Sequence, residues 1–94
     1  MKHYIIIKFN DTIQNKAPMY ERIEKLFKKA EEIKGIYHVS LTPNIIDLPN
    51  RYDLMIIMDM ERSALPIFDA SQIHSDWKKE YAEYLESKVI FDSN

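Results

Sequence analysis

The chain has 94 residues, 46% of them hydrophobic and 30% charged, with a formal net charge of -2 and no cysteine. That size leaves room for one hydrophobic core and one domain over residues 1–94. Without cysteine there can be no disulfide, thiol nucleophile or thiolate metal site. Lysine and arginine gather on no single face, so nucleic-acid binding has no electrostatic footprint. No apolar run reaches the roughly 18 residues of a membrane span, and Met1-Lys2-His3-Tyr4 does not read as a secretory signal. A reducing, cytoplasmic location and no membrane partner are the expectations.

Residues 3–9, His-Tyr-Ile-Ile-Ile-Lys-Phe, are β-rich and too short for a helix. The spacing predicts a helix over 18–34. Pro18 suits its first turn, and Ile23, Leu26, Phe27, Ala30 and Ile33 form one apolar stripe. Gly35, the single glycine, stands where a left-handed C′ residue belongs. Residues 36–42 alternate, with Tyr37, Val39 and Leu41 on one face and His38, Ser40 and Thr42 on the wet one. Pro43 to Arg51 reads as a loop and Tyr52 to Met60 as the third strand. Ser63 is placed to cap a short helix with Pro66 in its first turn; a longer helix follows over 72–85, and a fourth strand over 87–92. The order β-α-β-β-α-α-β predicts an α+β, ferredoxin-like fold with a four-stranded antiparallel sheet.

Right-handed crossovers place the helices of such a unit on one face of the sheet. The strands are nevertheless apolar on both faces. Ile5 and Ile7 alternate with Tyr4 and Ile6, Met55 and Ile57 with Leu54, Ile56 and Met58, and Ile90 with Val89 and Phe91. A bare apolar sheet face of that extent predicts a homodimer packed sheet against sheet.

Three histidines are the chief candidates for chemistry. His3, on an apolar strand, reads either as a hydrogen-bonded core histidine or as a site residue. His74, at a helix start, reads either as a bridge between backbone groups or as a general base. His38 reads as solvated. Trp77, Tyr81 and Leu85 lie at four-residue spacing, as core packing does. Met55, Met58 and Met60 read as adaptable interface filler. Lys28-Lys29, Glu31-Glu32 and Lys78-Lys79-Glu80 read as solvated helix surface. No histidine spacing supports a metal site built on His3, His74 and a carboxylate, and one glycine cannot form a phosphate loop.

Four motifs in order carry a resemblance. They are Lys2-His3 before the first strand, Tyr52-Asp53 opening the third, Leu65-x-x-Phe68-x-x-Ser71-Gln72-Ile73-His74, and a last strand closing on Asp92. Together they resemble the stress-responsive A/B barrel (Dabb) family. The family pattern has tyrosine, histidine and proline where this chain has Phe68, Ser71 and Gln72; its second histidine is matched by His74. The resemblance implies a dimeric α/β barrel, no cofactor, and a small, mostly apolar pocket in each subunit. His3 and His74 are its candidate catalytic groups, and Ile5, Ile7, Phe27, Phe68, Trp77 and Tyr81 its expected lining.

A plant polyketide cyclase of the family closes a ring with a tyrosine–histidine acid–base pair, and Phe68 lacks the hydroxyl that pair requires. The leading expectation is therefore a homodimer that binds or transforms a small hydrophobic or aromatic metabolite. The rivals are a cofactor-free cyclase, isomerase or lyase using His74 as base, and a related quinol-type monooxygenase.

Overall fold

The computed structural model describes residues 1–94. Strand β1 (Lys2–Phe9) leads to helix α1 (Ala17–Lys28), which tightens into a 3₁₀ turn over Lys29–Glu32. Strands β2 (Ile36–Pro43) and β3 (Leu54–Met60) follow. A 3₁₀ turn at Arg62–Ala64 runs into the short helix α2 (Leu65–Asp69), then α3 (Gln72–Tyr81), a last 3₁₀ turn, and β4 (Leu85–Ser93). The sheet is antiparallel throughout, in the order β2-β3-β1-β4. This is the predicted α+β ferredoxin-like arrangement, with its second crossover broken between α2 and α3.

The alternation in β1 sets the inner face. His3, Ile5, Ile7 and Phe9 are buried, while Tyr4, Ile6 and Lys8 between them are only half-buried. In β3, Leu54, Ile56, Met58 and Met60 point the same way, and Met55, Ile57 and Asp59 the other. The inner residues form one core with Met19, Ile23, Leu26 and Phe27 of α1, Phe68 of α2, and Trp77 and Tyr81 of α3. All three helices therefore cover one face of the sheet. Met58 and Met60 are fully enclosed in this core, so of the three strand methionines only Met55 lies on the outer face.

Several boundaries differ from the sequence reading, each for a local reason. Tyr52 and Asp53 precede β3 rather than opening it. The Asp53 carboxylate accepts the Phe9 backbone N–H at 2.8 Å and the Lys16 ammonium at 2.6 Å. Its own N–H donates to Ile7 and its carbonyl accepts from Asn44, so it works as a corner post at the sheet end. Ser63 lies inside a 3₁₀ turn and caps nothing. The capping serine is Ser71, whose Oγ accepts the His74 backbone N–H at 3.3 Å. A register shift between Ile36 and His38 turns Ile36 into the core and leaves Tyr37 outside, its hydroxyl on Glu61 at 2.7 Å. Gly35 does take a positive φ of 94°, as the turn from helix to β2 requires.

The outer face of the sheet carries no helix. Tyr4, Ile6, Met55 and Ile57 are half-buried only by their neighbours, and Val89 and Phe91 are 42% and 60% exposed. In the loop before β3, Ile45, Ile46 and Leu48 also face solvent. No helix is long and apolar enough to cross a membrane.

Candidate functional site

His3 and His74 come from opposite ends of the chain and border one cleft. β1 places His3 on its helix-side face, directly across from Asp92 of β4 in the strand register. The Asp92 carboxylate sits 2.5 Å from His3 Nδ1, in a pairing shielded on the histidine side and open on the aspartate side. With the carboxylate as acceptor, Nδ1 carries the hydrogen and the ring is held in one orientation.

His74 stands in the first turn of α3, and its backbone N–H donates to the capping Ser71 hydroxyl. Its Nε2 is 3.9 Å from Asp69, a looser approach. Burial pushes the His74 imidazole below its ordinary value, and the charges of Lys78 and Lys88 push it further down; Asp69 opposes them only in part. His74 is therefore neutral at neutral pH, with a ring nitrogen able to accept a proton.

The cleft is open to solvent, of about 430 Å³, and lies between α2, α3 and the β1–β4 edge. Ile5, Leu65, Trp77 and Ile90 supply its apolar surface, and His3, Asp69, His74, Lys78, Lys88 and Asp92 the polar groups, so the cleft is not the mostly apolar pocket expected: charged residues of α2, α3 and β4 line its open side. Of the residues expected to line a pocket, Ile5 and Trp77 are on its walls. Ile7, Phe27, Phe68 and Tyr81 are not; they share the core with Ile5 and Trp77, each 2% exposed, but do not border the cleft. Phe68 is the informative case. Its ring meets His74 edge-on at 5.3 Å and His3 at 6.4 Å, with Phe27 at 6.2 Å behind. It is the apolar partition against which both imidazoles rest, and it is fully buried because α2 lays it onto the sheet beside α1.

Sequence reasoning missed Lys78, Lys88, Leu65, Asp69 and Ile90 as cleft residues. The signal was present in two periods. Residues 74, 77 and 78 share a helix face, and 88, 90 and 92 share a strand face. Lys78 was hidden by its neighbours Lys79 and Glu80, which make the segment look like ordinary solvated surface.

No tyrosine borders the cleft. The hydroxyls of Tyr4, Tyr20, Tyr37 and Tyr52 are engaged elsewhere, with Ser93, the Asp53 carbonyl, Glu61 and Ser87. No three histidine, aspartate or glutamate side chains converge as a metal site would need. His38 is exposed on β2 and pairs loosely with Glu31, away from the cleft.

No family model matches the sequence, and no curated protein matches it. Solved structures do resemble it. A dimeric ferredoxin-like protein of unknown function from Thermobifida fusca aligns over 96% of this chain and 85% of its own, with TM-score 0.78 and 15% identity. A Dabb family protein with a ferredoxin-like fold from Mesorhizobium loti aligns over 99% of this chain and 93% of its own, at 0.65 and 14%. The hydroxynitrile lyase of Passiflora edulis aligns over 96% and 87%, at 0.73 and 11%. Likeness at such low identity is a likeness of backbone, and backbone alone does not carry activity. The chain thus has the ferredoxin-like α+β fold of the Dabb proteins.

Proposed function

We propose that the protein is a homodimer in which the helix-side cleft of each copy binds a small hydrophobic or aromatic metabolite. The observation that carries the ligand-binding reading is the cleft itself. It combines an apolar surface with two imidazoles, His3 held by the Asp92 carboxylate and His74 carried on the Ser71-capped first turn of α3. Dimerisation is supported by the helix-free outer face, with Tyr4, Ile6, Met55, Ile57, Val89 and Phe91. It is also supported by the dimeric state of the Thermobifida fusca protein that shares the fold.

A catalytic reading has one observation in its favour, the neutral, partly accessible imidazole of His74. Against it stands the lack of a phenol partner, since Phe68 is buried carbon and no tyrosine reaches the cleft. Binding is therefore the better-supported reading, and transformation by His74 the second.

The test is an NMR titration with a panel of small aromatic compounds, following the ring protons of His3, His74 and His38 and the indole N–H of Trp77. Binding in the cleft shifts His3, His74 and Trp77 and leaves His38 still. An Ile90→Trp variant, which fills the cleft, abolishes those shifts. A panel that perturbs none of the three cleft residues, or only those of the outer face, overturns the reading.

A further inference from the structure

We propose that the cleft selects ligands bearing a carboxylate or similar anionic group, held between Lys78 and Lys88. This rests on the ligand-binding reading of the cleft and adds the charge class of the ligand. The two lysines approach from different walls, Lys78 from α3 and Lys88 from β4. Neither has a carboxylate within ion-pair distance, and neither ammonium makes a hydrogen bond; the lysines that do form such pairs are Lys8, Lys16 and Lys28.

The two carboxylates at the cleft are each turned to an imidazole. Asp92 lies on His3 at 2.5 Å, and Asp69 stands 3.9 Å from His74. The cleft thus presents two unpaired cations beside an apolar surface of Ile5, Leu65, Trp77 and Ile90. The formal charges of the cleft balance, Lys78 and Lys88 against Asp69 and Asp92, so what favours an anion is that the carboxylates are turned to the imidazoles while the ammonium groups have no partner. An aromatic or branched carboxylic acid matches both halves: its anion meets the ammonium groups and its carbon skeleton the apolar surface.

Trp77 is the single tryptophan and lies on the cleft wall, so its fluorescence reports occupancy. Three ligands of one skeleton test the charge class without any variant: phenylacetate, phenethyl alcohol and phenethylamine. Phenylacetate is expected to bind about tenfold more tightly than the alcohol, with the amine weakest, and raised salt should narrow the gap. Lys78→Met and Lys88→Met should each weaken phenylacetate about three- to fivefold and leave the alcohol unchanged. Lys79→Met, beside the cleft but not on its wall, should change neither. Equal binding of acid and alcohol, or tighter binding of the amine, overturns the charge selection while leaving the cleft as a binding site. Failure of all three to bind overturns this inference, and the titration of the wider aromatic panel then decides whether the cleft binds at all.

Discussion

Phe68 and His74 show how little of a residue's role is set by its place in a motif. Phe68 occupies a family tyrosine's place, yet it is wholly buried between Phe27 and the two cleft histidines. Phe68→Tyr is expected to lower stability by about 1–3 kcal/mol, since the new hydroxyl is buried among carbon and ring edges without an assured acceptor. For a domain of this size that corresponds to a fall in melting temperature of about 4–8 °C per kcal/mol. An unchanged melt would mean that the ring edge opens onto the cleft after all. His74 carries a pH signature. Its folded value is depressed, so below the unfolded value near 6.5 the unfolded chain takes up a proton that the folded chain refuses. The stability it contributes is complete above that pH and is lost as pH falls toward the lowered folded value. Melts at pH 7.5 and 5.5 should therefore show a smaller acid loss for His74→Gln than for the wild type; equal losses would contradict the direction of the shift.

At the scale of elements, the turns decide where side chains point. Gly35 joins the 3₁₀ turn after α1 to β2 with φ 94°, and its carbonyl accepts the Glu61 N–H at 2.7 Å. A Cβ added there would lie 3.1 Å from the Cβ of Ala64, besides straining the backbone. Gly35→Ala is expected to cost about 1–2 kcal/mol from the left-handed backbone alone, read as a lower denaturation midpoint with unchanged slope. The neighbouring register shift in β2 explains why simple alternation misassigned Tyr37: one extra residue inverts the faces on its N-terminal side. The Ser71 cap does similar work for α3. It fixes the start of the helix, and with it the azimuth at which His74, Trp77 and Lys78 meet the cleft.

At the scale of the molecule, the sheet divides the chain's tasks. Its inner face holds the core and, at the β1–β4 edge, the cleft; its outer face is apolar and bare. If a second copy covers that face, a charge at its centre must be buried or must break the dimer. Ile57→Lys is expected to convert a dimer of twice 11.2 kDa into monomer or to unfold it, as read by light scattering and circular dichroism. A wild-type chain that stays monomeric at micromolar concentration would remove the sheet-to-sheet arrangement, and the same variant leaving a dimer intact would move the interface elsewhere.

Periodicity in the sequence was sufficient for the element order and the ferredoxin-like sheet, because hydrophobic spacing is a local property that each segment carries by itself; it did not say which face of β3 turns inward, since both are apolar, and Met58 and Met60 proved to be core rather than interface. His3 and His74 are candidates through their match to the Dabb motif pattern, since the local sequence alone leaves a structural role open for each. Their 71-residue separation says nothing of distance, however, and neither does the pairing of His3 with Asp92 across 89 residues. Only the register of β1 against β4 brings those groups together. Only the packing of α2 encloses Phe68, and only the meeting of α3 with β4 turns Lys78 and Lys88, two unremarkable surface lysines in the sequence, toward one cleft. Such juxtapositions depend on which strand edges pair and on the angle at which a helix lands, and both are settled by contacts between segments that no single segment encodes.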